Sequence, residues 1–359
     1  MHSSRERRGG APAPVLVALF LVSATLTTLF LRRALPRGGA DELVDVKLAL
    51  FEQRRDDYSV LFLGSSRTHR GFVPSVFDAR MRELGWPTHS FNFGAPGARA
   101  FEMRLLLERI AALAPSSLDF VLVDPEGLSL LRDERNPLAR QVIEWHDPPA
   151  TLAIARTLLA LDLELRPKLA LLSPHLKSCA YNLTNIGRAE LWVDAALGKR
   201  RTAELMKQLA GPELDGYAPL GQEGEELGRR GQRFQKKHRE AYLAELAAFR
   251  ELASDDAPPS EFALEMYAEL ERRVRALEAT LVFVAQPALY HQDDLIRAHE
   301  LGQVGPLLRY DDPEANAELY EPEHRYDATH LNDEGARLFT ERLASDFARA
   351  LSSGEITRR

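Results

Sequence analysis

The sequence predicts an α/β protein: a parallel sheet with helices on both faces. Short apolar runs of strand length, such as Val60-Leu61-Phe62-Leu63, recur between amphipathic helical segments. Two of these runs end in glycine-bearing turns, where open α/β sheets carry their ligand sites. The alternation resumes near the carboxyl end after a long helical stretch, which marks an insertion.

In chain order, Asp41 followed by Leu43, Val46, Leu50 and Phe51 reads as a capped helix leading into the first strand, 60–63. That strand stops at Gly64-Ser65-Ser66, and glycine there lets the backbone turn without a Cβ clash. Residues 74–84 read as a helix closed by Gly85, and 90–93 as a second strand ending in Gly94-Ala95-Pro96-Gly97. A helix over 98–113 follows, with Phe101, Leu105, Leu106 and Ile110 on one face, then a third strand over 119–124. Downstream come an amphipathic helix over 261–279, a fourth strand over 281–285, a short fifth over 307–310, and a last helix over 333–351. Between the third and fourth strands, 151–165 and 169–172 are rich in Leu and Ala, while 189–209 and 225–252 are helical and charged. Pro258-Pro259 closes that segment. Its ends fall inside the sheet order, so it reads as one insertion and not an independent domain.

The organisation expected is a basic amino terminus and anchor over 1–37, an α/β domain in two parts, 38–135 and 259–359, and the helical insertion 136–258. The anchor rests on residues 14–31, which carry no charge and follow Arg5, Arg7 and Arg8. At about 1.5 Å per residue the run spans roughly 27 Å, close to the ~30 Å hydrocarbon core of a bilayer. Val22-Ser23-Ala24 is a candidate signal-peptide cleavage site, but the apolar run continues past it, which favours an uncleaved helix. Arg32, Arg33 and Arg37 balance the upstream arginines, so charge bias leaves the orientation open. With six arginines against Glu6, the formal charge of −7 divides into +5 on the first 37 residues and −12 on the rest. A main domain that acidic argues against nucleic acid as a partner. Cys179 is the only cysteine, which excludes an intrachain disulfide and a cysteine-based zinc site.

Two stretches carry chemistry. Gly64-Ser65-Ser66 puts two hydroxyls at the end of the first strand. Near the carboxyl end, Asp327 and His330 are three residues apart, close enough in a loop or helical turn for the carboxylate to reach Nδ1. That hydrogen bond leaves Nε2 bare, as a general base requires. Asn332 reads as the cap of the last helix. Each stretch alone is also what a polar turn or a solvated helix entrance looks like.

Together, in this order on one framework, they resemble the SGNH (GDSL) hydrolase superfamily, whose fold is a flavodoxin-like three-layer α/β/α. Ser66 matches the nucleophile of that family's first block, with Ser65 where Asp is commonest. Asn92-Phe93-Gly94-Ala95-Pro96-Gly97 is similar to the second block, which places Gly97 at the oxyanion-hole glycine, and Asp327 and His330 match the fifth. The resemblance covers about 60–124 and 261–351. It implies a catalytic Ser66, Asp327 and His330, an oxyanion hole of the Ser66 and Gly97 amides, and no metal or organic cofactor.

One departure matters. The family's third block supplies an asparagine to the oxyanion, whereas this strand ends in Asp124-Pro125-Glu126-Gly127-Leu128. Losing such a donor costs on the order of 100- to 1000-fold in rate. With the first block and the anchor, the departure resembles the family's membrane-anchored acyl-transfer branch. That branch includes the D-alanyl-lipoteichoic acid transfer protein and the alginate O-acetylation proteins. The expected activity is a serine esterase or O-acyltransferase on an acylated carbohydrate or other ester, outside the cytoplasm and beside a multispanning membrane acyltransferase. A non-catalytic assembly protein is the alternative. Arg67 and Asn92 are candidate substrate-binding residues. Arg67, His69 and Arg70 could meet an anion, and 228–239 is the one dense basic run of the main domain. His291, His299 and His324 lack metal-ligand spacing and receive no ligand role.

Overall fold

The structure is a computed structural model that describes residues 13–34, 42–98, 100–125, 140–160, 164–185, 197, 210–220, 224–252 and 257–358. Five strands form one parallel sheet: β1 (Val60–Leu63), β2 (Ser90–Asn92), β3 (Phe120–Val123), β4 (Thr280–Ala285) and β5 (Leu307–Arg309), in the spatial order β2-β1-β3-β4-β5. β1 lies between β2 and β3, so the chain leaves it in one direction and returns to its other side. A crevice opens at the carboxyl ends of strands around such a point.

Strand alternation sorts side chains into two cores. Leu61, Leu63, Val121, Val123 and Phe283 face one cluster, with α2 (Glu42–Gln53), α5 (Ala100–Ala112), α11 (Glu261–Arg275) and α12 (Asp293–Glu300). Val60, Phe62, Phe120, Leu122 and Val282 face the other, with α4 (Pro74–Glu83) and α13 (Asp333–Ser353). Both faces of the sheet are therefore covered, which is why its strands are apolar throughout and do not alternate. Asn332 caps α13 as expected, its Oδ1 accepting from Gly335 N at 2.9 Å. The sequence reading missed α12 and the short α3 (Ser66–Gly71), which begins at Ser66 directly after the turn.

Within the insertion lie α6 (Arg140–Trp145), α7 (Pro148–Ala160), α8 (Leu165–Leu183), α9 (Gly224–Arg233), a π-turn (Phe234–His238) and α10 (Arg239–Arg250). The helix expected over 189–209 falls outside the described residues but for 197, as does the end of the 125–128 segment. Phe234, Tyr242, Leu246 and Phe249 of the insertion enter the second core beside Phe339. Residues 210–220 lie against the β2 edge, where Asn92 N donates to Asp215 O at 2.8 Å.

α1 (Ala13–Ala34) is helical over the uncharged run, with large side chains such as Phe20 and Phe30 facing outward. Among the described residues no helix is long and apolar enough to cross a membrane, so the fold lends the expected transmembrane helix no support.

Candidate active site

Ser66 sits at the first position of α3, immediately beyond β1. The preceding Ser65 caps that helix, its Oγ accepting from Arg67 N at 3.2 Å. Gly64 is required for this turn, because a Cβ there would lie 2.0 Å from Thr68 Oγ1. The second glycine turn is laid alongside, with Ala95 N donating to Gly64 O at 3.0 Å. Gly97 is exposed within it at φ +75°, a conformation that suits glycine.

The loop before α13 meets this turn. Ser66 Oγ lies 2.8 Å from His330 Nε2, although the two residues are 264 positions apart. His330 Nδ1 lies 3.0 Å from Asp327 Oδ1, which also accepts from the backbone N–H of His330 and of Thr329, each at 2.8 Å. With Nδ1–H committed to the carboxylate, Nε2 is the acceptor for the Ser66 hydroxyl proton. Burial by itself would raise the Asp327 carboxyl. The His330 hydrogen bond and charge, with the Thr329 and His330 amides, outweigh it and hold the group down at about 2. Asp327 is thus a carboxylate at neutral pH.

The two candidate substrate-binding residues are engaged inside the protein. Arg67 is 3% exposed and its guanidinium is 2.9 Å from the fully buried Asp124 at the end of β3. Asp124 also accepts from Gln286 Nε2 at 2.7 Å and Gln292 Nε2 at 3.1 Å. The carboxyl end of β3, where the SGNH pattern expected from the sequence has an oxyanion donor, therefore carries a buried ion pair. Asn92 is wholly buried. Its Nδ2 donates to Thr68 O and Phe72 O at 2.8 and 2.7 Å, and its Oδ1 accepts from Gly94 N at 2.8 Å. It ties the second glycine turn to α3. The other basic residues after Ser66 are likewise engaged by the protein: Arg70 donates to Ala218 O at 2.9 Å, and His69 is buried.

His69 Nδ1 lies 2.9 Å from Lys47 Nζ and 3.1 Å from Gly216 O, while Lys47 Nζ donates to Gly94 O at 2.6 Å. Burial first, then the Lys47 charge, pushes the His69 imidazole well below its ordinary range, so it is neutral. Lys47 is fully buried and joins α2, α3 and the second glycine turn. One signal pointed to it: Lys47 occupies the apolar stripe of α2, four residues after Leu43 and four before Phe51. Arg230, the other residue sequence reasoning missed, reaches Asp327 Oδ2 at 3.3 Å. It lies in the basic run 228–239, which by composition is indistinguishable from a solvated face.

His291, His299 and His324 face backbone carbonyls, of Leu252, Gly305 and Glu318. Among the described residues no cluster of three or more His, Cys, Asp or Glu side chains is placed to hold a metal ion.

The fold and this site define a hydrogen-bonded Ser–His–Asp arrangement at the carboxyl edge of a parallel α/β sheet. No protein-family model matches the chain, and no curated protein matches it.

Proposed function

We propose that the chain is a membrane-anchored serine esterase or O-acyltransferase of the SGNH type, acting on an acylated carbohydrate or other ester of the cell envelope. The observation that carries this reading is the 2.8 Å approach of Ser66 Oγ to His330 Nε2, with Asp327 behind the imidazole at 3.0 Å. The strand order β2-β1-β3-β4-β5, the order of flavodoxin-like folds, supports the superfamily assignment.

In the reaction, His330 Nε2 takes the hydroxyl proton as Ser66 Oγ attacks the ester carbonyl. The tetrahedral oxyanion faces the backbone N–H groups of Ser66 and Gly97. Collapse expels the alcohol, which takes the proton from His330, and leaves an acyl-Ser66 ester. Water, or the hydroxyl of an acceptor sugar, then attacks that ester and gives its proton to His330, and the acyl–Oγ bond breaks as His330 returns the proton to Ser66 Oγ. Transfer wins over hydrolysis when the acceptor excludes water. A non-catalytic assembly role is the second reading, and the observation favouring it is the Arg67–Asp124 pair at the place of an oxyanion donor.

The anchor rests on the uncharged run 14–31, on α1 helical over it, and on side chains from Val15 at 45% to Phe20 at 70% exposure, which water solvates poorly. Fluorophosphonate labelling of fractionated cells expressing the full chain tests the reading in one experiment. The wild type should label in the membrane fraction. Ser66→Ala and His330→Ala should lose the label, since such changes typically cost on the order of 10⁴- to 10⁶-fold. Equal labelling of all three proteins would remove the catalytic assignment. A labelled soluble protein starting near Thr25 would keep the enzyme and remove the anchor.

A further inference from the structure

Asp327 divides its carboxylate between two sources. Oδ1 accepts from donors of its own loop, Thr329 N, His330 N and His330 Nδ1. Oδ2 is met by Arg230 Nη2 at 3.3 Å, from α9 of the insertion. Arg230 is delivered by a cradle fastened to the same loop. Gln235 Nε2 donates to Pro322 O at 2.6 Å and to Arg325 O at 3.2 Å, and Arg239 pairs with Glu323 at 2.5 Å. Tyr242 OH donates to Tyr320 O at 2.7 Å, and the rings of Tyr242 and Tyr320 each lie 5.7 Å from the buried Arg325 guanidinium. Gly231 lets α9 approach, since a Cβ there would stand 3.1 Å from the Tyr326 ring. One π-helical turn, Phe234–His238, joins α9 to α10 and carries Gln235, and such turns concentrate at functional sites.

We propose that Arg230 is a positioning residue of the triad that acts through Asp327: the insertion holds its guanidinium 3.3 Å from Oδ2, where it sets the charge that Asp327 presents to His330. The inference rests on the serine-hydrolase reading and makes the insertion a part of the active site. Three donors on Oδ1 already fix the carboxylate plane, because Cβ, Cγ and Oδ1 define it. What the guanidinium adds at Oδ2 is a positive charge beside the carboxylate and a tie between the insertion and the loop that carries it.

The Arg230 cation offsets part of the Asp327 charge that favours a protonated His330, so it shifts the acid limb of the rate to lower pH. Among the described residues, the other titratable groups around Asp327 and His330 are Arg325 on their own loop, the neutral His69 from α3, and Arg233, His238 and Glu245. The last three line, with Asp327, a cavity of about 470 Å³ that opens beside the pair. Arg230 is 65% exposed, so the effect is open to screening.

The test uses the full-length protein with Arg230→Gln, Arg230→Lys and the charge-matched control Lys236→Gln. Two readouts are the pH–rate profile for p-nitrophenyl acetate and the NMR titration of the His330 imidazole, assigned with His330→Gln. Arg230→Gln should raise both midpoints by on the order of half a pH unit. It should also lower kcat several-fold with KM unchanged. Arg230→Lys should restore the midpoint and part of the rate, and Lys236→Gln should change neither. Salt at 1 M should move the wild type toward Arg230→Gln and leave that variant in place. Superimposable titrations of wild type and Arg230→Gln would overturn the proposal. If the wild type turns over no ester while the His330 midpoint still follows Arg230, the hydrolase reading falls and the coupling of Arg230 to the Asp327–His330 pair stands.

Discussion

At the scale of the residue, two carboxyl groups that burial raises alike end on opposite sides of their ordinary value. Asp327 ends at about 2 because hydrogen bonds and the imidazole outweigh desolvation. Its folded value lies below the ordinary 3.8, so its contribution to stability is present above pH 3.8 and is lost as pH falls through 2. Asp215 goes the other way. Burial raises it to about 6 from 3.8, against the Tyr217 amide and the Lys47 charge, which lower it. Its contribution is therefore present below pH 3.8 and lost as pH rises through 6. Urea denaturation across this range should show stability declining from pH 4 to 6 in the wild type. Asp215→Asn should flatten that decline and leave the acid loss below pH 4, which belongs to Asp327 among other carboxylates. An unchanged slope between pH 4 and 6 would refute the assignment to Asp215.

At the scale of the element, the site depends on how closely two turns approach. Asn92 bridges them with three hydrogen bonds, and Gly94 allows the contact. A Cβ on Gly94 would stand 2.2 Å from His69 N, which is backbone of α3 and has no side-chain freedom to yield. Gly94→Ala should therefore cost about 1–3 kcal/mol by overpacking, and it should also reduce fluorophosphonate labelling by displacing α3 and Ser66. Gly228 in α9 has open space around the same position and is helical. Gly228→Ala should instead stabilise by about 0.5–1 kcal/mol. Urea midpoints of the two variants check both signs, and a Gly94→Ala protein as stable as the wild type would contradict the contact.

At the scale of the whole molecule, the insertion is built into the α/β body. Phe234, Tyr242, Leu246 and Phe249 complete the second core, and residues 210–220 bind α3 and the β2 edge. Tyr217 OH donates to Asp333 at 2.6 Å at the start of the last helix. Replacing 136–258 with a short Gly/Ser linker should therefore expose apolar core and uncover β2, an edge prone to association. The expected product is insoluble, or melts without a cooperative transition, in calorimetry beside the full chain. A soluble, cooperatively melting excision product that still labels at Ser66 would show the insertion to be dispensable.

The sequence by itself determined the strands, the turns at Gly64 and Gly94, the Asn332 cap, and the Asp327–His330 contact. Each depends on neighbours within a few residues: apolar runs set strands, glycine permits turns, and a three-residue spacing lets a carboxylate reach an imidazole. Only the tertiary structure decided which side chains meet across the sheet. Ser66 and His330 converge because β1 lies at the reversal of the strand order and α13 packs on the same face as α4. The same holds for Arg67, whose charge suited a ligand by sequence and is met instead by Asp124 on the neighbouring strand. Arg230 is a further case, one basic residue among many until α9 is laid against the triad loop. A charge or amide carries no record in sequence of its partner when that partner arrives from a distant element, because the pairing is fixed by how the cores close around the sheet.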